Sequence, residues 1–294
     1  MKIAAFDIGG TSLKMACVTP DGQIIKQQSA SVGDSDGKQI LQQMHDWVKK
    51  NPDCGGIAVS APGHVNPHSG LISMGGAIRH FDNFNLKQWL EQMSGLPVSI
   101  ENDANCVLLA EKWLGSAQHL QDFLCLTIGT GIGGGIYANG SLIRGGRFRA
   151  GEFGYMFSER PGAEVPNNST MNKVCTLKVL RERYAEFTQR SWEEVSGEEI
   201  FEGYDAQNPL CLRLVNAFYD DICTGLYNLI NIFDPTHIFI GGGITSRCGF
   251  INELLSHMAW LGQRDTIIQC ATHKNDAGLL GATYHFICQK NPIQ

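Results

Sequence analysis

Apolar residues recur along the chain in two rhythms, and the way these rhythms alternate predicts an α/β protein. Short apolar runs rich in β-branched residues end in glycine, as Lys2–Ile8 does at Gly9-Gly10 and Phe123–Ile128 at Gly129. Runs of that length bounded by turn residues read as strands. Elsewhere the spacing is helical: Ile40, Leu41, Met44, Trp47 and Val48 share one face of a helix expected over 38–50. In the first half this predicts strands at 2–8, 12–19 and 22–30 with a Pro20-Asp21-Gly22 turn, then the 38–50 helix and a strand at 56–61. A short helix at 86–93 precedes a strand at 98–101, which runs into a helix at 103–114. The second half begins again in the same style, with strands at 123–128 and 133–138 and helices near 176–187, 196–203 and 208–233. A strand at 237–241, a helix at 249–261, a strand at 266–270 and a helix at 277–288 close the chain. An irregular loop is expected at 158–173, where Pro161-Gly162, Pro166 and Asn167-Asn168 fall.

A length of 294 residues allows two domains. The expected division is 1–114, rejoined by the C-terminal helix at 277–294, and 115–276. With 43% hydrophobic and 18% charged residues the chain reads as globular, and a net charge of −6 with both signs interspersed argues against a nucleic-acid partner. No apolar run approaches the roughly 20 residues that span a bilayer. Met1–Asp7 breaks at its aspartate and reads as a buried strand rather than a signal peptide, so a cytoplasmic protein with no membrane partner is expected. The ten cysteines are scattered without a Cys-x-x-Cys, which fits buried reduced thiols.

Candidate chemistry concentrates at the glycine-rich turns. Ala5-Phe6-Asp7-Ile8-Gly9-Gly10-Thr11, with Lys14 beyond, forms a tight turn whose N–H groups can bind phosphate oxygens. Asp7 is suited to hold Mg²⁺ through water, or simply to cap an ordinary hairpin. Gly129-Thr130-Gly131-Ile132-Gly133-Gly134-Gly135 packs five glycines and a threonine into seven positions, a density beyond what a structural turn needs. Both turns link strand to strand, which disfavours a dinucleotide fold, whose glycines open a helix; the Walker A pattern is also absent. Two such loops on two half-domains is the arrangement of the actin and hexokinase-like ATPase fold. Gly241-Gly242-Gly243 would let an adenine and ribose lie against the backbone, or is a plain strand-to-helix turn. In Glu101-Asn102-Asp103-Ala104-Asn105, Asn102 or Asp103 can serve as an N-cap, yet four polar residues in five exceed what capping requires. A carboxylate there can take a hydroxyl proton as attack on a γ-phosphate develops. Glu152 can accept hydrogen bonds from vicinal sugar hydroxyls, while Arg144, Arg147 and Arg149 before it read more readily as a solvated face.

In this order and spacing the motifs resemble those of the ROK family of bacterial sugar kinases and sugar-responsive repressors, over essentially the whole chain. Asp7–Lys14 and Leu126–Ile136 are similar to its phosphate motifs, Glu101–Glu111 to its sugar and catalytic motif, Phe239–Ile244 to its adenosine motif, and Ala277–Ala282 to its closing helix. The resemblance implies a two-domain, ribonuclease H-like α/β fold with nucleotide and sugar in the interdomain cleft, and MgATP as phosphoryl donor. It implies Asp103 as general base, Asn102 and Glu152 on sugar hydroxyls, and the Ser60-Ala61-Pro62-Gly63 loop below the sugar; Gly76 and Tyr155 join that set. Two departures stand out. Tyr155 replaces the family's histidine, and the cysteine-rich zinc motif is missing except for Cys175, so no zinc is expected. A missing histidine leaves room for a substituent on O1. Met74–Arg79 and Arg147–Tyr155 look like the branch that phosphorylates β-glucosides, implying transfer to O6 of disaccharides such as cellobiose or gentiobiose. The alternatives are a kinase of glucose, fructose or N-acetylmannosamine and, from another class, a sugar-sensing repressor or a catalytically dead sugar-binding module. The repressor would need a helix-turn-helix ahead of residue 7, and the dead module conflicts with the intact loops and Asp103. Leu226–Phe233 is apolar enough to support a homodimer, although burial within the monomer explains it equally.

Overall fold

The computed structural model describes residues 1–33, 36–158, 166–259, 262 and 265–290. It forms two compact units, Met1–Gln121 with Gly135–Ala150 and Ala271–Gln294, and Asp122–Gly134 with Gly151–Cys270.

In the first unit the chain runs β1 (Lys2–Ile8), β2 (Ser12–Val18), β3 (Ile24–Ser31), α1 (Gly37–Lys50) and β4 (Cys54–Ala61). It continues through β5 (His64–Val65), β6 (Leu71–Met74), β7 (Phe84–Asn85), α2 (Leu86–Ser94), β8 (Val98–Asn102) and α3 (Asp103–Leu114). The main sheet has the order β3-β2-β1-β4-β8, antiparallel on the hairpin side and parallel from β1 through β4 to β8. Successive side chains of a strand point to opposite faces, and β1 shows the result. Ala4, Phe6 and Ile8 join Ile40, Met44 and Trp47 of α1 in one core, while Ala5 and Ile3 pack in clusters with Ala110 and Cys106 of α3 and with Leu279 and Phe286 of the last helix. Asp7 continues that second face, at the strand's end. The strands β5, β6 and β7 form a separate three-stranded sheet absent from the sequence-based reading, because two to four residues are too few to show a period.

The second half runs β9 (Phe123–Ile128), β10 (Ile132–Ala138), β11 (Ser141–Ile143), α4 (Met171–Val174), α5 (Leu177–Thr188), α6 (Gly197–Asp205) and α7 (Pro209–Phe233). After these come β12 (His237–Gly241), α8 (Phe250–Met258), β13 (Ile267–Cys270) and α9 (Ala277–Lys290), the last of which belongs to the first unit. The second sheet has the order β11-β10-β9-β12-β13, with β12 parallel to both β9 and β13. The first sheet's plan therefore recurs, as expected of the two-domain actin/hexokinase-like fold. On α7, Leu226 and Leu229 are buried, whereas Tyr227, Ile232 and Phe233 are exposed.

Three expectations change. Helix α4 and a 3-10 turn at Pro166–Ser169 occupy the end of the stretch expected to be irregular, whose residues 159–165 lie outside the described residues. The helix expected at 249–261 ends at Met258, and residues 260–261 also lie outside. The third glycine loop leads into a 3-10 turn, Gly243–Ser246, with α8 starting only at Phe250. Among the described residues no helix is long and apolar enough to cross a membrane.

Candidate active site

The C-terminal ends of the parallel strands in the first unit place most of the predicted residues side by side. Asp7 pairs in register with Ser60 of β4, and Ser60 with Glu101 of β8. The Asp7 carboxylate accepts a hydrogen bond from Ser60 Oγ at 2.8 Å and from Lys14 Nζ at 3.1 Å. Lys14 also donates to the carbonyl of Asn275 at 2.8 Å, just before α9. Helix α9 approaches Asp7 so closely that a Cβ on Gly278 would lie on the carboxylate, and only glycine leaves that oxygen pair room.

Asn102 is the N-cap of α3. Its Oδ1 accepts from the N–H of Asn105 at 3.1 Å, the usual capping contact, worth about 1 kcal/mol. Its Nδ2 donates to the carbonyl of Gly63 at 3.0 Å, so the cap also pins the Pro62-Gly63 turn. Gly63 has φ +85°, a conformation that side chains rarely adopt, and a Cβ there would also meet the Met74 carbonyl and the Gly76 N–H. Across the Gly75-Gly76-Ala77 turn, the Ala77 methyl approaches the position a Cβ on Gly10 would take, at 3.1 Å. One chain of contacts thus joins Gly10 of the first phosphate loop to Ala77, Gly76, Gly63 and Asn102. Asp103 is the first residue of α3, and its Oδ1 accepts from the N–H of Ala104 at 2.8 Å. A carboxylate at the positive end of a helix is stabilised as an anion.

Behind Asn102-Asp103 lies a group that the sequence-based reading left without a role. Glu101 is 1% exposed. Its Oε1 accepts from the Asn102 N–H at 2.9 Å and from Asn105 Nδ2 at 3.0 Å, and its Oε2 from Arg144 Nε at 2.7 Å. Arg144 is therefore not part of a solvated face, unlike the exposed Arg147 and Arg149. Nε2 of His285 lies 3.7 Å from the same Oε2. Burial pushes the His285 imidazole down to about 4, against the pull of Glu101, so it is neutral near pH 7.

The second unit holds the other predicted residues. Asn172 of α4 accepts from the Ile132 N–H at 2.8 Å, and the Leu177 N–H at the start of α5 donates to the Gly129 carbonyl at 3.0 Å. Side chain and helix thereby brace Gly129–Gly134 of the second glycine loop from within the second unit, whereas Gly135 belongs to the first. Glu152 precedes a 3-10 turn, Phe153–Tyr155, that packs on the same loop: the Phe153 ring covers Gly134, and Gly154 sits against Asn172. Tyr155 is 52% exposed. Asn172 was illegible in the sequence because it falls in the stretch read as irregular. Beside Gly243 and Ile244 opens a cavity of about 350 Å³, with Phe201 and Arg247 in its lining. Arg247 stacks over the Phe201 ring at 4.7 Å and bonds Asp205 through both terminal nitrogens, at 3.0 and 2.6 Å. That volume is within the range of small-molecule pockets, and Gly197 and Gly243 in its lining leave room for a flat base to approach.

For a magnesium ion, the fit rests on the donor set: Asp7 offers hard oxygens, as Mg²⁺ requires, and the described residues contain no group of three or more His, Cys, Asp or Glu. Such an ion would be held by Asp7, waters and phosphate oxygens. Cys175, the remnant of the zinc motif, is fully buried and donates to the Met171 carbonyl at 3.3 Å, with its thiol pushed well up by burial.

The chain is 68% identical to a protein named beta-glucoside kinase from Listeria innocua, over 99% of both chains. A solved structure from Listeria monocytogenes, whose description offers N-acetylmannosamine kinase as a candidate activity, is 67% identical, with a TM-score of 0.96 over 99% of this chain and 100% of that one. A ROK family protein from Streptococcus pneumoniae, solved in complex with sucrose, is 31% identical, with a TM-score of 0.87 over 100% of both chains. The model of the ROK family matches residues 3–288, and the chain belongs to the ROK family.

Proposed function

We propose that this ATP-dependent sugar kinase acts on β-glucosides such as cellobiose or gentiobiose, phosphorylating O6 of the non-reducing glucose. The observation that carries the kinase chemistry is Asp103, presented at the start of α3 and joined through Asn102, Gly63 and Gly76 to the first phosphate loop. Support for the glycoside comes from the exposed Tyr155 where the family resemblance expects histidine, from the beta-glucoside kinase relative and from the disaccharide in the S. pneumoniae structure.

In the mechanism we propose, Gly63, Gly76, Asn102, Glu152 and Tyr155 hold the sugar, and the glycine loops at Ala5–Thr11, with Lys14, and Gly129–Gly135 hold the phosphates. Gly241–Gly243 and the adjoining cavity take the adenosine. The acceptor hydroxyl oxygen bonds to the γ-phosphorus as the bond to the β–γ bridging oxygen breaks. The hydroxyl proton passes to the Asp103 carboxylate, and ADP leaves. Magnesium held through water at Asp7 would neutralise charge on the phosphates. We place the enzyme in the cytoplasm, where ATP is supplied.

A second reading, a monosaccharide kinase, is favoured by the N-acetylmannosamine description of the L. monocytogenes structure. A coupled ADP-release assay over cellobiose, gentiobiose, glucose, fructose and N-acetylmannosamine separates the two. The expected result is the highest kcat/KM on a β-disaccharide; robust turnover of the monosaccharides with none of cellobiose would reject the glycoside.

A further inference from the structure

We infer that Arg144 is a positioning residue for phosphoryl transfer: acting through the buried Glu101 carboxylate, it holds the start of α3 and with it Asp103. This rests on the reading of Asp103 as the base.

The two oxygens of Glu101 divide their work. Oε1 holds the backbone N–H of Asn102 and the side chain of Asn105, the residues that bracket Asp103 on either side. Oε2 is held by Arg144 Nε at 2.7 Å. A carboxylate at 1% exposure needs a counter-charge. Among the described residues Arg144 supplies the bonded one, since His285 is neutral and lies 3.7 Å away. Stability alone does not call for an ion pair at this position, because apolar residues of similar volume often serve a buried site as well or better. What an apolar pair could not do is orient Oε1 towards the start of a helix.

Arg144 is itself fixed at a second point. Its carbonyl accepts from the Ala150 N–H at 3.1 Å, closing the loop 145–150, in which Gly145 has φ +74° and Phe148 φ +56°. The next two residues in the chain are Gly151 and Glu152. Arg144 is thus held at both ends within the first unit, by Glu101 through its side chain and by Ala150 through its carbonyl.

The test compares Arg144→Gln, Glu101→Gln, their double variant and Arg144→Lys with the parent, using ATP with cellobiose and with glucose and following thermal unfolding alongside. Arg144→Gln should lower kcat about 10- to 100-fold while leaving both KM values within about threefold, the size of loss expected when a reacting group is misplaced by an ångström or less. Because both residues act through one contact, the double variant should be no slower than the worse single. Arg144→Lys, which keeps the charge without the planar fork, should fall between Arg144→Gln and the parent. A folded Arg144→Gln with kcat within about twofold of the parent would overturn the inference, as would single losses that multiply in the double variant. Should Arg144→Gln not fold, Arg144→Lys decides: several-fold slower supports the inference, and parent-like kcat overturns it. Asp103→Asn in the same assay separates the two readings, since near-parent turnover there removes the base assignment whatever Arg144 does.

Discussion

In the first unit the parallel strands carry Asp7, Ser60 and Glu101, paired in register, one residue before their ends. In the second, the strands at matching places in the sheet carry Thr127, likewise one residue before its strand's end, and Gly241 at its strand's end, also paired. The strand order is the same in both sheets. Gly9-Gly10 follows Asp7 by two residues as Gly129 follows Thr127, so the scaffold repeats while the chemistry does not. Carboxylates gather on one sheet, each braced by cations or donors: Lys14 and Ser60 for Asp7, Arg144 for Glu101. The other sheet offers glycine, with φ +92° at Gly242, and backbone held by Asn172 and Leu177. On the mechanism proposed above, one half of a repeated fold carries the proton and metal chemistry and the other the close approach of a nucleotide.

If the asymmetry is functional, Asp7→Ala should have a large effect, a loss of about 10²- to 10³-fold in kcat/KM for MgATP, measured by varying ATP at saturating sugar. A loss no greater than that of a Thr127 variant would break the comparison. Gly278→Ala probes the same carboxylate from α9: the added Cβ displaces Asp7, and a drop of roughly ten- to hundredfold in the same parameter is expected, with unfolding still cooperative.

The buried imidazole of the first unit should also show in its stability. The His285 imidazole is held at about 4 in the folded state against 6.5 for the free side chain, so the unfolded chain binds its proton first as pH falls. Its contribution is complete above pH 6.5 and is lost progressively down to about 4, up to about 3 kcal/mol in all. Urea unfolding across that window should therefore be flatter for His285→Gln than for the parent; identical slopes would reject this origin. Smallest of all, Thr127→Val removes a hydroxyl from the second sheet's end and should raise KM for ATP only about two- to tenfold.

Much of this was legible in the sequence, for a physical reason. Turn-bounded apolar runs mark β1 and β9, the helical spacing of its apolar residues marks α1, and all three fall where expected, as does α3; glycine clusters mark where a backbone must approach something closely. Asp103 could be singled out because four polar residues at a strand–helix junction exceed a cap's needs. Asn102 turned out to cap as well, and no pattern shows a side chain with two partners. The strands β5, β6 and β7 are too short to carry a period. The Glu101–Arg144 pair joins residues 43 apart, and nothing local in Arg144-Gly145-Gly146-Arg147 separates the half-buried arginine from its exposed neighbour.

The most direct test of the central claim is Asp103→Asn, measured for turnover of ATP with the preferred sugar and for sugar binding by calorimetry. If Asp103 is the base, kcat should fall about 10²- to 10⁴-fold while sugar affinity stays within a few fold of the parent. Turnover near the parent's rate would contradict it.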